Sequence, residues 1–219
     1  MSYYSNINVD LLNAINAPPK KVLEIGCGEG WFGKKVKELY PDCTYHGVEL
    51  FPDAAKVADN NIDGVLIGNI EEQQVMDAVQ SGYDLLVFGD VLEHLIDPWA
   101  TLKLLRSKAA DQSTCVACIP NVAHWSMIAR LLAGQWTYED AGLLDRTHLR
   151  FFTVETMIKM FQDADWGSKI EAKPRILWPD KTAAHIEALL PAAKMLGIDE
   201  KQVVVNSRAF QWVIRAERH

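Results

Sequence analysis

Short apolar runs alternate with helix-like stretches along the first 120 residues of the chain. Five runs are typical of buried strands: 21–25, 44–50, 64–67, 83–88 and 114–119. Three stretches between them have helical periodicity: 31–40, 52–60 and 98–110. Such alternation is typical of a parallel sheet covered by helices on both faces. The pattern predicts an α/β, Rossmann-like, doubly wound and mostly parallel sheet of seven strands, with a late strand at 211–216.

The regular alternation stops between residues 121 and 152, where aromatic and polar side chains replace the short apolar runs. We interpret this segment as an insertion after the fifth strand that covers the active face of the sheet. Helical periodicity returns at 153–163, and a further helix is expected at 181–195 with an interruption at Pro191. Because 219 residues suffice for one sizeable domain, we treat residues 1–219 as a single domain with its core at about 20–165.

The charge and hydropathy of the chain exclude several classes of protein. A formal net charge of −7 provides no long-range attraction for nucleic acid, whose binding depends on basic residues that neutralise phosphates. No apolar segment approaches the roughly 18 residues of a membrane span, and the N-terminus lacks the basic and apolar regions of a secretory signal. We therefore expect a cytoplasmic protein that inserts into no membrane and acts on a small molecule. The sequence leaves a homodimer open.

Four cysteines, of which Cys115 and Cys118 form a CxxC pair, raise the question of a redox or zinc site. Both lie in the apolar run at 114–119, and residues three apart on a strand point to opposite faces. The sequence contains no second pair that could complete a zinc site. We therefore interpret the pair as buried side chains of a strand.

A glycine-rich segment, EIGCGEG at residues 24–30, joins the first predicted strand to the first predicted helix. Glycines at such a turn allow the backbone to approach a ligand closely. Residues 28–33 also fit the GxGxxG pattern of dinucleotide-binding proteins, which is a weak signal when it stands alone. In that pattern the first glycine closes the strand, whereas here the strand closes at Gly26 and an acid, Glu24, precedes it. The register therefore favours a GxGxG turn.

Two further strand ends have polar side chains at spacings that suit a nucleoside ligand. Glu49 ends the second predicted strand about twenty residues after the glycines, where a carboxylate can accept hydrogen bonds from both hydroxyls of a ribose. Asn69 follows the third predicted strand, and its side-chain oxygen can accept a hydrogen bond from an amine.

Together these motifs resemble those of class I S-adenosylmethionine (SAM)-dependent methyltransferases. The resemblance implies that SAM is the cofactor, that S-adenosylhomocysteine (SAH) is the product, and that Glu24 and the glycine turn hold the methionine end. Asn69 departs from the family, which usually has an acid facing the adenine amino group. The implied cofactor-binding residues are Glu24, Gly26, Cys27, Gly28, Gly30, Glu49, Leu50, Asn69, Ile70, Asp90 and Val91.

The segment GDVLEHL at 89–95 resembles motif IV of the same family and places Asp90 at the carboxyl end of the fourth predicted strand. An alternative is a divalent-metal site formed by Asp90, Glu93 and His94, because some methyltransferases of this superfamily use a carboxylate and histidine cluster of similar spacing. A fourth ligand is missing, and Pro98 follows one turn after His94. We therefore expect no metal site and a reaction that survives treatment with a chelator.

Two blocks of the insertion, at 120–125 and 134–153, resemble small bacterial methyltransferases whose genes often accompany glycosyltransferases of surface-polysaccharide or natural-product pathways. The insertion contains aromatic faces, arginines that can bind an anion and histidines that can move protons. We expect His148 to be the general base, with His124 second and Asp90 also a candidate. The expected acceptor-binding residues are Asn121, Trp125, Tyr138, Arg146 and Arg150. Arg146 and Asp145 could equally form a salt bridge that anchors the loop.

The function that these observations favour is methyl transfer from SAM to a small acceptor. The resemblance to glycosyltransferase-associated enzymes suggests a hydroxyl of a sugar or sugar-derived metabolite. Three alternatives stay open: methylation of a nitrogen, a SAM-binding protein without catalysis, and a nicotinamide-dependent oxidoreductase based on the GxGxxG overlap. Turnover measurements and a binding titration of SAM against NAD distinguish them.

Overall fold

The computed structural model of the chain describes residues 7–218. Within this range seven strands form a sheet: β1 (Lys21–Ile25), β2 (Thr44–Glu49), β3 (Gly64–Ile67), β4 (Tyr83–Gly89), β5 (Ala109–Pro120), β6 (Lys169–Arg175) and β7 (Gln211–Arg218). Their order is β3-β2-β1-β4-β5-β7-β6. All pairs are parallel except those of β7, which runs against both of its neighbours. The predicted Rossmann-like, mostly parallel sheet is confirmed.

Helices connect the strands and flank the sheet. Their bounds are α1 (Val9–Asn13), α2 (Trp31–Leu39), α3 (Pro52–Ala58), α4 (Gln73–Ala78), α5 (Pro98–Lys108), α6 (Trp125–Leu132), α7 (Val154–Asp163), α8 (Pro179–Met195) and α9 (Glu200–Arg208). Proline occupies the first turn of α3 and α5. It lacks an N–H group, but an N–H at this position would have no hydrogen-bond partner within the helix. The Thr153 side chain caps α7 in a capping box with Thr156. No helix within residues 7–218 is long and apolar enough to cross a lipid bilayer.

The sheet buries side chains on both faces. Alternate residues of β5 show this, because Cys115 and Ala117 belong to one hydrophobic core and Val116 and Cys118 to the other. A strand buried on both faces has a continuous apolar run rather than an alternating one, which explains why the central strands could be located from the sequence. It also explains the CxxC pair, whose two thiols are buried on opposite faces.

Several elements differ from the sequence prediction. Helices α1, α4, α6 and α9 and strand β6 were not predicted, and α8 continues through Pro191 without a break. Strand β6 has the sequence KIEAKPR and lies at the edge of the sheet. Within residues 7–218 it pairs with β7 alone. An edge strand with this many charged residues lacks the apolar run on which the prediction depended.

The order of the strands determines where a ligand can bind. From β1 the chain builds outwards through β2 to β3, and it then returns to place β4 on the other side of β1. This reversal is the topological switch point of the sheet, and α/β proteins bind ligands in the crevice outside the carboxyl ends of the strands there. The glycine turn after β1 and Asp90 after β4 flank this crevice.

Candidate active site

A cleft of about 920 Å³ opens at the switch point. Among its lining residues are ten that the sequence predicted for the cofactor: Glu24, Gly26, Cys27, Gly28, Glu49, Leu50, Asn69, Ile70, Asp90 and Val91. Gly30 is not among them, because it caps the N-terminus of α2 behind the turn. Of the predicted bases, His148 and Asp90 line the cleft.

The glycine turn after β1 requires residues without a side chain. Gly26 has a φ of +69°, and a Cβ atom there would lie 2.5 Å from Cγ2 of Val91. Its N–H donates a hydrogen bond of 2.8 Å to the carbonyl of Val48 on β2. The turn is therefore held close to two strands, and its backbone faces the cleft.

Glu49 is buried at the end of β2 and holds two backbone segments in place. Its Oε2 accepts a hydrogen bond from the Gly28 N–H at 2.8 Å, and its Oε1 accepts one from the Phe51 N–H at 2.9 Å. A carboxylate has about four acceptor positions, so both oxygens retain a lone pair for a ligand. Glu49 can therefore accept two hydroxyl groups while it fixes the glycine turn.

Glu24 lies on β1 beneath the turn and is buried. Its Oε2 accepts a hydrogen bond of 3.0 Å from the Tyr45 hydroxyl. Burial, opposed in part by this hydrogen bond and reinforced by the nearby charge of Glu49, raises the pKa of Glu24 to about 8. A cationic group bound beside Glu24 would favour the ionised carboxylate, so this part of the cleft is suited to a positively charged ligand.

Asp90 follows β4 in a strained backbone conformation with a φ of +57°. Its carboxylate accepts a hydrogen bond from the Gln211 amide, whose oxygen accepts one from the Arg175 guanidinium. Burial raises the pKa of Asp90 to about 6, and the charge of Arg175 opposes the shift. Gln211 and Arg175 also line the cleft. The sequence did not reveal this chain of contacts, because Arg175 belongs to the edge strand β6 that has no clear periodicity.

Glu93, His94 and His148 come together in the wall of the cleft. Glu93 and His94 belong to a 3₁₀ turn, Leu92–His94, and the Glu93 carbonyl accepts the N–H groups of Leu149 and Arg150 at 2.8 and 3.0 Å. These bonds bring the segment after His148 against the turn. His148 Nε2 lies 4.0 Å from Glu93 Oε1, and the two imidazole rings lie 4.8 Å apart between centroids.

Burial is the main influence on the charge of this cluster. It raises the pKa of Glu93, with a further contribution from the charge of Asp90. It also lowers the pKa of His148, and the neighbouring charge of His94 lowers this pKa further. Both shifts favour the neutral form. The metal set considered from the sequence was Asp90, Glu93 and His94. In the structure Glu93 and His94 cluster with His148, which is distant in sequence, and not with Asp90.

The structure places His124 away from the cleft. Its side chain caps the N-terminus of α6, where Nδ1 contacts the Ser126 hydroxyl at 2.8 Å and accepts the Ser126 N–H at 3.3 Å. Burial lowers the pKa of His124 to about 4. This geometry fits a neutral capping residue rather than a group that exchanges protons with a substrate.

We expect the unfolding free energy to fall more steeply in the wild type than in His124→Asn as the pH decreases from 6.5 to about 4. The folded protein holds the imidazole neutral, whereas the unfolded chain takes up a proton at its ordinary pKa, so acid favours unfolding. Asparagine keeps a capping acceptor and does not titrate. Urea unfolding at a series of pH values should show a difference on the order of 3 kcal/mol at the acid limit. The exposed His185→Asn is the control, and parallel wild-type and His124→Asn profiles would refute the assignment.

None of the five predicted acceptor-binding residues lines the cleft described by residues 7–218. The Asn121 amide donates to the carbonyls of Asn206 and Ala209. Trp125 stacks on His185 with centroids 3.9 Å apart. These two side chains therefore join the insertion to the region of α8 and α9.

The other three predicted acceptor residues lie at the surface of the insertion. Tyr138 is exposed, and Arg146 forms a salt bridge of 2.6 Å with Asp140, not with the neighbouring Asp145. Arg150 donates to the Ile96 carbonyl and so fixes the loop after the 3₁₀ turn. The insertion reaches the cleft instead through residues 140–149, whose lining members are Asp140, Gly142, Leu143, Asp145, Thr147, His148 and Leu149.

A glycine turn and two buried carboxylates at the ends of strands, placed at the switch point, are the arrangement expected of an α/β protein that binds a nucleoside-containing cofactor. Comparison with known families identifies it further. The sequence model of a family described as a methyltransferase domain matches residues 3–167, and the chain belongs to this family.

Two curated relatives and one solved structure illustrate the similarity. The chain is 30% identical over 94 residues to a malonyl-(acyl-carrier protein) O-methyltransferase of Halalkalibacterium halodurans, covering 41% of this chain and 35% of that protein. It is 27% identical over 157 residues to a ubiquinone biosynthesis O-methyltransferase of Psychrobacter cryohalolentis, covering 68% of this chain and 59% of that protein. The chain thus spans between about a third and three fifths of the length of these curated relatives.

The solved structure is a plantazolicin methyltransferase in complex with SAH. Its TM-score is 0.62 at 14% identity, and the match covers 96% of this chain and 84% of that one. The family match and the fold, which is that of methyltransferases with SAH bound, indicate SAM as the cofactor of this chain. Membership of this family and the register of the glycine turn both argue against the oxidoreductase alternative.

Proposed function

We propose that this methyltransferase transfers the methyl group of SAM to an oxygen atom of a small-molecule acceptor. One observation carries the proposal: the cleft that contains the residues assigned to the nucleoside also has a wall of titratable side chains. That wall contains Asp90, Glu93 and His148, all of which line the same cleft. A hydroxyl acceptor must lose a proton during methyl transfer, and groups able to take part in that proton transfer lie where the acceptor would enter.

The residues at the other end of the cleft fit SAM. The two free lone pairs of Glu49 suit the ribose hydroxyls, and the backbone turn at Gly26 leaves room for the cofactor to lie against it. Glu24 provides a buried carboxylate near the position that a cationic cofactor would occupy. Asn69 and Ile70 line the side of the cleft that we assign to the adenine.

The reaction is an in-line displacement at the methyl carbon. The acceptor oxygen forms the new C–O bond while the C–S bond breaks, and the sulfonium becomes the neutral thioether of SAH. The enzyme contributes mainly alignment and removal of the hydroxyl proton. Since the thioether needs no proton to leave, a base is required on the acceptor side alone.

The acceptor side of the cleft combines apolar and charged groups. Leu143, Leu149 and Phe210 provide an apolar wall, and Arg175 is the cationic residue that lines it within residues 7–218. A sugar or sugar-derived hydroxyl is the acceptor suggested by the sequence resemblance. However, Trp125 and Tyr138, which were expected to contact it, lie away from the cleft. The combination of Arg175 with an apolar wall also suits a phenolic or acyl acceptor bearing an anionic group.

A screen with labelled SAM tests the proposal. Four acceptor classes would be compared: sugars and nucleotide sugars, phenols, acyl carboxylates and primary amines. We expect label transfer to an oxygen acceptor together with SAH formation. Transfer only to amines would replace the proposal with N-methylation, the second reaction that the sequence left open. Binding of SAM without turnover on any class would favour a protein that binds SAM without catalysis.

A further inference from the structure

The cluster of Glu93, His94 and His148 has the donor set of a metal site. One ligand atom from each of the three side chains lies within 4.8 Å of the others. Ligand atoms around one tetrahedral ion lie roughly 3.4 Å apart at the usual bond lengths, so small side-chain rotations would bring the three into coordination. The cluster lines the acceptor end of the cleft.

Glu93 is the strongest sign that something binds here. The residue is 1% exposed, and within residues 7–218 neither of its carboxylate oxygens has a hydrogen-bond partner. Buried polar atoms without a partner are rare, because each one costs its full desolvation energy. The nearest polar atom of His148 lies 4.0 Å away, which is too far for a hydrogen bond. A cation between these groups would satisfy both oxygens.

The two imidazoles are oriented as metal ligands usually are. Nδ1 of His148 donates to the Leu143 carbonyl at 3.3 Å, and Nδ1 of His94 donates to the Thr147 carbonyl at 3.2 Å. A backbone carbonyl accepts only, so these contacts favour the tautomer with the proton on Nδ1 and the lone pair on Nε2. The Thr147 hydroxyl also contacts Nδ1 of His94, at 3.1 Å. Metal-bound histidines typically donate their second N–H to such an acceptor, which fixes the tautomer and the ring orientation.

We propose that Glu93, His94 and His148 bind a divalent transition-metal ion at the acceptor end of the cleft. Two imidazoles and one carboxylate suit zinc, manganese or iron better than magnesium or calcium, which prefer sites made of oxygen ligands. Three protein ligands leave a coordination position open, as in catalytic metal sites. This inference rests on the proposed function, because the three side chains line the part of the cleft that we assign to the acceptor.

The ion gives His148 a different role from the one expected from the sequence. As a ligand, His148 no longer removes the proton itself. A cation held there would stabilise the negative charge that develops as the acceptor hydroxyl ionises, and Asp90, which lines the same cleft, would take the proton. The oxygen then attacks the methyl carbon, and the products are the methylated acceptor and SAH. The expected resistance of the reaction to a chelator is replaced by expected sensitivity.

Metal binding can be measured without an acceptor. Untagged full-length protein, stripped with a chelator, would be dialysed against Zn²⁺, Mn²⁺ or Mg²⁺ and its metal content determined. We expect about one equivalent of Zn²⁺ or Mn²⁺ and a higher melting temperature in its presence. Glu93→Gln and His148→Gln should each lower the affinity at least about tenfold and abolish the thermal shift. The exposed His185→Gln is the matched control and should bind as the wild type does.

The same samples separate this inference from the proposed function. Glu93→Gln should remain folded, because it removes an unpartnered carboxylate rather than a bonded one, and its metal-free melting temperature verifies this. The inference is overturned if the wild type binds none of the ions or only Mg²⁺, or if both variants retain full affinity. SAH titrated into the metal-free protein by calorimetry tests the cofactor site. Binding of SAH without binding of metal would remove the ion and leave the methyltransferase proposal intact.

Discussion

Replacement of His148 by alanine is expected to lower the turnover number by roughly a hundredfold or more. His148 lines the acceptor end of the cleft, and the loss follows whether it takes the proton or holds a cation. The affinity for SAH should stay near that of the wild type, because His148 is not among the residues assigned to the cofactor, which lie at or just after the ends of β1, β2, β3 and β4. Single-turnover kinetics with an acceptor found in the screen, together with SAH calorimetry, measure the two effects.

His124→Asn is the informative comparison for this variant. The sequence made His124 the second candidate base, whereas the structure places it at the N-terminus of α6 and outside the cleft. We expect near wild-type turnover at neutral pH. If His148→Ala kept normal turnover from about pH 6 to about pH 9, His148 would be neither a base nor a ligand, and a group elsewhere would have to remove the proton.

Glu49→Ala is expected to raise the dissociation constant for SAH about thirtyfold, equivalent to roughly 2 kcal/mol. The substitution removes the acceptor for the ribose hydroxyls. It also leaves the Gly28 and Phe51 N–H groups without their partner, which loosens the turn on which the cofactor lies. Both effects act on the cofactor, so the affinity for the metal ion should change little.

Calorimetry with SAH measures this change, and the melting temperature of the variant separates lost contacts from lost folding. Glu155→Ala, which removes an exposed carboxylate from the first turn of α7, is the matched control. Equal SAH affinity in Glu49→Ala and Glu155→Ala would show that the cofactor does not use the end of β2.

The sequence predicted the cofactor half of the site better than the acceptor half. Strands β1, β2 and β4 are buried on both faces, so their apolar runs fixed the positions of Glu24, Glu49 and Asp90 at strand ends. Ten of the eleven residues assigned to the cofactor line the cleft, although their individual contacts with SAM remain predictions. Gly30 is the exception, because a glycine in this motif can serve the helix start instead of the ligand.

The acceptor half depends on contacts between segments far apart in the sequence, which no periodicity reveals. Arg175 and Gln211 reach the cleft through an antiparallel hairpin, and the edge strand in that hairpin resembles a charged loop. Likewise, the aromatic residues of the insertion suggested a binding surface, whereas Trp125 packs against α8. The pairing of His148 with Glu93, 55 positions earlier in the chain, follows only from the loop that returns to the 3₁₀ turn.

The antiparallel pair β6 and β7 lies in a different part of the sequence from the residues predicted to bind SAM. The residues predicted to hold SAM come before residue 92, while the antiparallel pair contributes Arg175 and Gln211 to the cleft from outside the part matched by the family. Mutations in this hairpin could therefore change which acceptor is admitted without disturbing the nucleoside end. Evolution within such a scaffold can conserve the methyl donor and diversify the product. Sequence similarity between the N-terminal parts of two such proteins is therefore poor evidence that they modify the same compound.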